Sequence, residues 1–344
     1  MRIALDIMGG DFAPEGIVDG ALRAARQDPA VRIVLVGRSD VAARLRSGAD
    51  TDLVDFVDAG EQIGMDEEPV LAVRSKRHAS VRVAASLVRS GEADGFVSAG
   101  STGATVAAAL LALGRIPGMS RAGLAVVVPA ATGPVILLDA GASPDASVDA
   151  LRQLAVAGSA YATIRLGLPA PRVGLLAIGE EPGKGDELRK RAYDVLAGQD
   201  GIHFVGNVEG CDVATGGRAE VIVTDGFTGN VLLKGMEGAV VLATAHFAAV
   251  ADDPRVNDVD GILRGALAEA ANSLDPGRRG GGVLLGVNGV VVVTHGATSA
   301  EAIAASIADA ADAVRSDVVA GLTAAMDPTG SAARATAPRV GEPA

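Results

Sequence analysis

The feature that most constrains the fold is the alternation of short apolar runs with longer alanine-rich stretches of helical character. The runs carry Val, Ile and Leu at successive positions, which is typical of strands buried on both faces. Buried strands separated by helices indicate a largely parallel sheet covered on both sides. We therefore predict a doubly wound α/β fold, with strands at residues 2–8, 31–37, 53–58, 95–99, 124–129, 134–139, 172–178, 203–208, 220–225 and 283–294.

Two of these runs interrupt the alternation. Residues 124–129 and 134–139 are only four residues apart, which is too short for a crossover helix, so we expect them to be antiparallel neighbours. A second hairpin is expected within 283–294, with its turn at Asn288 and Gly289. The otherwise parallel sheet should therefore contain antiparallel pairs.

Proline and composition mark the helices and the extent of the domain. Pro14 and Pro69 indicate the starts of two helices, which should run to about residues 26 and 90. We expect a single α/β catalytic domain over 1–326, with a helical hairpin inserted at about 235–280. Residues 327–344 are rich in Pro, Ala, Gly and Thr and are predicted to be a disordered tail.

The loop after the fourth run is the strongest functional signal. An apolar run ends there in small residues and hydroxyls that lead directly into a helix. Without bulky side chains the backbone N–H groups can approach an anion, and the start of the helix adds partial positive charge. We predict a phosphate site formed by Ser98, Gly100, Ser101, Thr102 and Gly103.

Composition argues against several classes of protein. The formal net charge of −12 disfavours a nucleic-acid partner, because such partners need clusters of Lys and Arg. The single cysteine, Cys211, excludes an intrachain disulfide and fits a reducing compartment, so we expect a cytoplasmic protein without a signal peptide. Residues 95–114 lack charge, but their glycines and hydroxyls favour a buried strand and helix over a membrane span.

Six further loops rich in Gly and polar residues follow other predicted strands. Ligands of open α/β sheets bind beyond the carboxyl ends of the strands, so we expect the loops to lie along one sheet edge and form a single cleft. Each loop also has a purely structural explanation, as a tight turn, a helix cap or a solvated turn. The predicted lining residues are Gly9, Gly10, Asp11, Asp139, Glu181 and Asp225.

Two side chains are candidates for charge stabilisation and proton transfer. Lys184 follows a strand in a Gly-Lys pair, but the spacing and Gly185 do not match a P-loop. It is either a point charge over an anion or a solvated lysine. His295 ends a strand beside a glycine and is the best acid–base candidate. No cluster of His, Cys and carboxylates resembles a metal site.

Taken together, these loops resemble the phosphate:acyl-acyl-carrier-protein acyltransferase family, PlsX, over about residues 2–322. Several independent motifs in the same order are stronger support than any one of them. The motifs are ALDIMGGD at residues 4–11, VSAGSTGA at 97–104, LGRIPG at 113–118, IGEE at 178–181 with Lys184-Gly185, GNVEG at 206–210, DGFTGNV at 225–231 and LGVNG at 285–289.

The resemblance implies a homodimer with a fold related to phosphate acetyltransferases and isocitrate-type dehydrogenases. The implied reaction moves a long acyl chain from an acyl-carrier-protein thioester to inorganic phosphate, giving acyl phosphate for phospholipid synthesis, without a cofactor or a metal. Because phosphate is already a nucleophile, the protein mainly has to position it. On this basis residues 100–103 cradle phosphate, Lys184 offsets charge, Asn230 donates a hydrogen bond and His295 assists proton transfer.

Two departures from the family pattern matter. Ser101 stands where relatives usually carry Asn, and its shorter hydroxyl can still donate to phosphate. The hairpin at 235–280 is acidic where relatives are rich in Lys, so we expect at most weak, peripheral contact with an anionic membrane. Its charged residues up to 270 include Asp252, Asp253, Asp258, Asp260 and Glu269 against Arg255 and Arg264.

Three alternatives remain open at this point. A short-chain enzyme that uses acyl-coenzyme A would need the same predicted phosphate loop, residues 98–103, and would differ in its preference for acyl-chain length. A nicotinamide-dependent decarboxylating dehydrogenase is disfavoured because no G-x-G-x-x-G follows the first strand. A non-catalytic carrier-binding scaffold would have no need of the phosphate loop or of Lys184.

Overall fold

In the computed structural model, the described residues are 1–41, 51–251, 261–274, 280–294 and 299–327. They form one mixed sheet of eleven strands with helices on both faces, which confirms the predicted fold class. The strands are β1 Arg2–Asp6, β2 Arg32–Gly37, β3 Val54–Asp58, β4 Gly95–Ser98, β5 Gly123–Ala130, β6 Gly133–Leu138, β7 Arg172–Leu176, β8 His203–Val208, β9 Val221–Val223, β10 Gly282–Leu285 and β11 Val290–Val293.

The helices lie between the strands at most of the predicted places. Their bounds are α1 Glu15–Gln27, α2 Pro69–Ser75, α3 Ser80–Ser90, α4 Thr102–Leu113, α5 Val148–Leu166, α6 Glu187–Ala197, α7 Gly210–Thr215, α8 Gly226–Ala251, α9 Ile262–Leu274, α10 Ala300–Arg315 and α11 Val318–Met326. The hairpin predicted at 235–280 corresponds to α8 and α9. Its connection at 252–260, and most of the predicted tail, lie outside the described residues.

The helix predicted over 69–90 is wrong, because two helices occupy this stretch. The break at 76–79 is held by the preceding loop: Lys76 Nζ donates to the Gln62 carbonyl oxygen at 2.9 Å, and the His78 N–H donates to Glu61 Oε2 at 2.8 Å. Glu61 also forms a bridge with Ala79. These contacts come from residues outside the helical pattern, so helical periodicity alone does not reveal them.

The strand order is β3-β2-β1-β4-β11-β10-β5-β6-β9-β7-β8. Strands β1 to β4 and β11 run parallel to one another, and so do β6, β7, β8 and β9. Both predicted hairpins are confirmed, because β5 is antiparallel to β6 and β10 is antiparallel to β11. Since β10 is also antiparallel to β5, the two parallel halves of the sheet point in opposite directions.

This topology corrects the prediction that all the polar loops follow one sheet edge. The two parallel halves of the sheet pair with different parts of β5. Strand β10 pairs with residues 123–125 and β6 with residues 126–130. Through the ladder, Ser98 at the end of β4 aligns with Val293 and Gly282, next to the level of Val126. The ends of β4 and β6 therefore meet near the middle of the sheet.

Most of the inner strands are buried on both faces, as their apolar runs predicted, whereas the edge strands β3 and β8 are mainly half-buried. On β1, Ile3 and Leu5 contribute to a core that includes residues of α1, α5 and α10, whereas Ala4 faces a second core containing residues of α3 and α4. The uncharged stretch at 95–114 is accordingly a buried strand followed by a helix of the fold. Burial of large apolar areas on both faces is the main stabilising contribution in such a fold.

Helix α8 is different, because most of its apolar side chains face outward. Phe227, Val231, Val241 and Leu242 are each more than half exposed. Within the described residues, α8 is the one helix whose length and composition would let it cross a membrane. Such a contiguous apolar surface is typical of an interaction site.

Candidate active site

A buried carboxylate organises the loop that the sequence predicted as a phosphate site. Asp6, at the end of β1, accepts hydrogen bonds from Ser98 Oγ at 2.8 Å and from the Met8 N–H at 3.0 Å. The Ser80 hydroxyl at the start of α3 is a further partner. Burial raises the pKa of Asp6, although these hydrogen bonds oppose the rise. The carboxylate thus holds together the ends of β1 and β4 and the start of α3.

Two of the predicted phosphate-binding residues are committed to this network. Ser98 is fully buried, and its hydroxyl donates to Asp6 while it accepts a hydrogen bond from the Gly100 N–H at 3.2 Å. A hydroxyl carries one proton, so Ser98 has no donor left for a ligand. Ser98 and Gly100 therefore shape the loop, which differs from the donor role expected for Ser98.

Gly9 fixes the same loop by close contact. A Cβ atom at Gly9 would lie 2.6 Å from the backbone nitrogen of Gly100 and 3.0 Å from Asp6 Oδ2. Only glycine permits this approach of the loops after β1 and β4. Gly10 has a φ of 102°, the left-handed region in which glycine is favoured. Asp11 is exposed beyond the turn.

The unused donors of the loop are at the start of α4. Ser101 caps this helix, because its Oγ accepts a hydrogen bond from the Ala104 N–H at 3.4 Å. The backbone N–H groups of Ser101, Thr102 and Gly103 have no acceptor among the described residues. First-turn N–H groups of a helix lack internal partners and carry partial positive charge. This end of α4 therefore presents donors suited to an anion, which is the kind of site that the sequence predicts.

Two cavities adjoin this loop, and their sizes differ greatly. The inner one lies beside Asp6, Gly9 and Ser80 and has a volume of about 10 Å³. That is room for a single water molecule at most. The outer one has a volume of about 1010 Å³ and reaches Gly100 and Thr102. An anion bound by the start of α4 therefore has to lie on the side of the outer cavity.

The outer cavity is mainly apolar. It extends from the phosphate loop along β5 and beneath α8. Most of the α8 residues on this side are aliphatic. Its apolar lining includes Leu124, Val126, Val127, Val128, Leu233, Met236, Ala239, Val240, Ala243 and Leu274.

Opposite the phosphate loop, the loop after β6 is built around a second buried carboxylate. Asp139 Oδ1 accepts from the backbone N–H groups of Leu124, Gly141 and Ala142 at 2.7–2.9 Å, and Oδ2 accepts from that of Ser143 at 2.8 Å. Burial raises the pKa of Asp139 despite these four bonds. All four of these donors are backbone amides, so Asp139 determines the path of the loop.

The start of α8 packs onto that loop through glycines. A Cβ at Gly229 would overlap the carbonyl oxygen of Asp139, and one at Gly226 would lie 2.5 Å from that of Ser143. This packing places Asn230 against Gly141, with Asn230 Oδ1 3.5 Å from the position of a Cβ there. Asn230 and Gly141 both line the outer cavity, on which Gly100 and Thr102 also lie. The structure thus brings the predicted donor Asn230 and the phosphate loop to one cavity.

Asp225 has a structural role at the start of α8. Its Oδ1 accepts from the Thr228 N–H at 2.8 Å, and its Oδ2 forms an ion pair with the guanidinium of Arg189. Burial alone would raise the pKa of Asp225, but the bonds from Thr228 and the charge of Arg189 outweigh it and lower the pKa. Arg189 is itself buried and also bonds the hydroxyls of Thr224 and Thr228. The helix-cap explanation of Asp225 is the one that the structure favours.

Lys184 and Glu181 lie farther out, on the loop after β7. The Lys184 side chain is 53% exposed, with Nζ 4.0 Å from Glu181 Oε2. The Glu181 carbonyl oxygen accepts from Asn207 Nδ2 at 2.9 Å, whereas Asn207 Oδ1 is buried without a partner in the described part of the chain. Neither Lys184 nor Glu181 lines the outer cavity.

His295 lies outside the described residues. The residue before it, Thr294, does line the outer cavity. Within the described ranges, no group of three or more His, Cys, Asp or Glu side chains has the arrangement of a metal site. Cys211 is exposed and unpaired by disulfide.

Sequence reasoning missed two residues of this region. Asp6 was quoted in a motif but not assigned to the site, although a carboxylate inside an otherwise apolar strand was a usable signal. Arg189 had no such signal, because an arginine on an amphipathic helix is ordinarily solvated. Only the approach of α6 to the start of α8 reveals its partner, Asp225.

Comparison with known proteins identifies the family of the chain. A family model described as "Fatty acid synthesis protein" matches residues 1–321. The chain belongs to this family. The PlsX resemblance of its motifs is thereby confirmed.

Curated relatives named "Phosphate acyltransferase" match over nearly the whole chain. One from Desulforamulus reducens is 44% identical over 322 residues, covering 93% of this chain and 95% of its own. One from Thermobifida fusca is 46% identical over 307 residues, covering 88% and 84%.

Solved structures with the same fold are more distant in sequence. A phosphotransacetylase from Streptococcus pyogenes has a TM-score of 0.60 at 20% identity, covering 92% of this chain and 94% of its own. A branched-chain phosphotransacylase from Enterococcus faecalis has a TM-score of 0.56 at 16% identity, covering 91% and 99%. These likenesses support the predicted fold relationship.

Proposed function

We propose that this protein is a phosphate acyltransferase that moves a long-chain acyl group from an acyl-carrier-protein thioester to inorganic phosphate. The product is an acyl phosphate for phospholipid synthesis. The observation that carries the proposal is one cavity that joins the free N–H groups at the start of α4 to an apolar groove along β5 and α8.

Phosphate binds at the start of α4 in this proposal. The N–H groups of Ser101, Thr102 and Gly103 and the hydroxyls of Ser101 and Thr102 are its donors. Charge-assisted hydrogen bonds from such groups are short and strong. The network around Asp6 holds the loop in place before phosphate arrives, which lowers the entropic cost of binding.

The groove accommodates the acyl chain. Its aliphatic lining contributes about 0.8 kcal/mol for each methylene group removed from water. This contribution grows with chain length, so the groove favours a long-chain donor over the short-chain coenzyme A substrate of the first alternative. A non-catalytic scaffold would not need the phosphate site at the mouth of the groove.

The reaction is a direct displacement. An oxygen of HPO₄²⁻ attacks the thioester carbonyl carbon, a C–O bond forms, and the C–S bond breaks as the tetrahedral intermediate collapses. The phosphate proton ends on the departing thiolate, which balances the reaction without a cofactor. Asn230, beside Gly141 and opposite the phosphate loop, donates a hydrogen bond to the developing oxyanion.

Lys184 and His295 complete the proposed machinery. Lys184 reaches from the loop after β7 to offset charge on phosphate or the oxyanion, and His295 passes the proton to the thiolate. Because Lys184 is half exposed and paired only loosely with Glu181, its side chain is free to reorient when an anion binds.

The decisive assay combines purified protein, dodecanoyl-carrier-protein and radiolabelled phosphate. We expect a hydroxylamine-sensitive acyl anhydride to form together with an equal amount of free carrier thiol. Dodecanoyl-coenzyme A should be the poorer donor. Release of thiol without phosphate incorporation would refute the proposal, and a preference for acetyl-coenzyme A would favour the short-chain alternative.

Lysine variants test the assigned charge. Lys184→Ala should slow acyl phosphate formation about 100-fold, in the range expected for one electrostatic contact to a transition state. Lys190→Ala is the matched control, since Lys190 is an exposed lysine of α6 paired with Glu187. Equal rates for the two variants would remove Lys184 from the mechanism.

Ser101→Ala tests the phosphate loop itself. The variant should raise the KM for phosphate more than the KM for the acyl donor, because the lost hydroxyl is a phosphate donor and a cap of α4. Steady-state kinetics with each substrate varied in turn would measure the two constants. The opposite ranking would show that the loop binds the acyl donor instead.

We further propose a cytoplasmic homodimer with at most weak membrane contact. The outward apolar side chains of α8 need a cover, and a second copy would supply it. Size-exclusion chromatography with light scattering tests the dimer. Flotation with anionic liposomes tests the membrane contact, and strong recruitment would contradict it.

A further inference from the structure

An unpaired strand edge forms one wall of the outer cavity. Strand β5 pairs with β10 only over residues 123–125, and β10 begins at Gly282. Beyond that level β5 continues for five residues, paired with β6 on its other side. Within the described ranges, no strand pairs with the outer edge of residues 126–130, and all five residues line the cavity.

The direction of the backbone groups along this edge follows from the ladder. Pro129 faces Pro134, and two residues without N–H groups can face each other only in a non-hydrogen-bonded pair. Val127 lies two residues before Pro129, so its pair with Ile136 is also a non-hydrogen-bonded one. In agreement, the Ile136 N–H donates away from β5, to the Glu220 carbonyl oxygen at 2.8 Å. The N–H and C=O of Val127 therefore point away from β6 and into the cavity.

These groups have no partner among the described residues. The Val127 N–H, the Val127 carbonyl and the Pro129 carbonyl form no hydrogen bond with any described atom. They present one donor and two acceptors in the spacing of an open β-ladder. Unpaired strand edges of this kind bind extended chains that carry amides.

The edge lies across a notch from the phosphate loop. Strands β10 and β11 separate β5 from β4, and both stop at the level of Ser98. Three strand spacings give a notch about 14 Å wide between β4 and β5. Gly100 and Thr102 stand on its β4 side, and Gly281 and Thr294 at its floor.

We propose that this edge, at Val127 and Pro129, binds the amide-bearing pantetheine arm of the carrier-protein donor. The inference rests on the proposed function. The Val127 N–H donates to one arm carbonyl, and an arm N–H donates to the carbonyl of Val127 or Pro129. The arm then holds the thioester across the notch, toward the phosphate bound at the start of α4.

A proline substitution removes the one backbone donor. Val127→Pro deletes the outward N–H without removing a hydrogen bond to β6, and the strand already holds proline in the same phase at Pro129. Val127→Ala is the control, since it shortens the side chain and keeps the N–H. Circular dichroism and thermal unfolding confirm that each variant is folded.

Each variant is then assayed with acyl donors that carry amides and with one that does not. With dodecanoyl-carrier-protein and dodecanoyl-pantetheine, Val127→Pro should lower kcat/KM about fivefold, the effect of one hydrogen bond. With dodecanoyl S-butyl thioester, which has no amide, Val127→Pro should change kcat/KM only as much as Val127→Ala does. Val127→Ala shortens a side chain of the acyl groove, so it should change kcat/KM by the same factor for all three donors.

Several results would overturn the proposal. An equal loss with the amide-free donor, or no loss with the pantetheine donors, would show that the edge does not bind the arm. A change from dimer to monomer in Val127→Pro alone, with donor kinetics unchanged, would assign the edge to a second copy. If Val127→Pro does not fold, the two donors are compared with the wild-type protein. Equal kcat/KM for the pantetheine and S-butyl donors would then overturn the proposal.

Failure of the proposed function itself looks different. In that case wild type forms no acyl phosphate from any of the three donors.

Discussion

Asp6 and Asp139 are buried carboxylates at the ends of strands in opposite halves of the sheet, and their partners differ. Each lies beside a close glycine contact, and burial raises the pKa of each. Asp139 bonds four backbone amides, whereas Asp6 bonds the hydroxyls of Ser98 and Ser80 beside the phosphate loop. Similar buried acids therefore serve different ends: Asp139 fixes a chain path through backbone amides alone, and Asp6 also joins two side-chain hydroxyls from separate elements.

The largest expected effect is on stability at Asp139. Asp139→Ala leaves four amides in the loop after β6 without an acceptor, and we expect the free energy of unfolding to fall by about 4 kcal/mol. Urea denaturation measures it. Asp145→Ala, at an exposed aspartate of the same loop, should change the free energy by less than about 0.5 kcal/mol. Similar losses for both variants would contradict the role given to Asp139.

A glycine pair on α8 tests the contact on which Asp139 depends. Gly229→Ala would force a Cβ against the Asp139 carbonyl oxygen and should destabilise the fold by about 3 kcal/mol. Gly235→Ala, on the same helix with no atom within 4 Å of the new Cβ, should stabilise it by about 0.5 kcal/mol. Thermal and urea unfolding give both values. The free energy of unfolding should fall in Gly229→Ala and rise in Gly235→Ala. A change in the same direction for both variants would refute the packing of α8 on this loop.

The comparison predicts a kinetic effect at Asp6. Asp6→Asn replaces an oxygen that accepts the Ser98 hydroxyl by an NH₂ group, so Ser98 must turn and the loop loses its fixed shape. We expect the KM for phosphate to rise about tenfold, or about 1.4 kcal/mol, with the KM for the acyl donor within twofold. Asp139→Asn should lower stability without this split. An equal rise in both constants for Asp6→Asn would show general damage to the fold.

Asp309 is a half-buried acid whose raised pKa makes stability depend on pH. Burial raises the pKa of Asp309 to about 6, although Arg165 opposes the rise at 3.2 Å. The protonated form therefore stabilises the fold below about pH 4, and this contribution is lost as the pH rises through about 6.

Asp309→Asn imitates the protonated carboxyl. Relative to wild type, its free energy of unfolding should rise by about 1 kcal/mol between pH 4 and pH 7, a value reduced for partial exposure of the side chain. Urea denaturation at several pH values measures the difference. Asp145→Asn, at an exposed aspartate of the loop after β6, is the control and should show no such trend. A flat difference for Asp309→Asn would refute the raised pKa.

Local pattern was sufficient for most of the fold. All the predicted strands are present, because apolar runs of this length form strands in the sheet, and the four-residue gap after 124–129 could only be a hairpin. The break in the helix at 76–79 escaped prediction because Glu61, far away in sequence, holds it. The opposite direction of the two sheet halves also escaped, since a run of apolar residues has no direction.

The site shows the same division. Small residues before a helix predicted the unpaired N–H groups of residues 101–103, because the first turn of a helix leaves its N–H groups without intrahelical acceptors. The sequence pattern could not show that the Ser98 hydroxyl donates to Asp6, or that Arg189 forms an ion pair with Asp225. Those contacts join residues more than thirty positions apart. The roles proposed for Lys184, Asn230 and His295 remain predictions.

The α/β class, the unpaired helix start after β4 and the family follow from the sequence alone, because they depend on residue types at short spacing. Only the tertiary structure decided that β10 and β11 stop short and leave the β5 edge open across from the phosphate loop. The physical reason is that an open edge results from where neighbouring strands end. That is fixed by pairing between distant segments, and no local pattern encodes it.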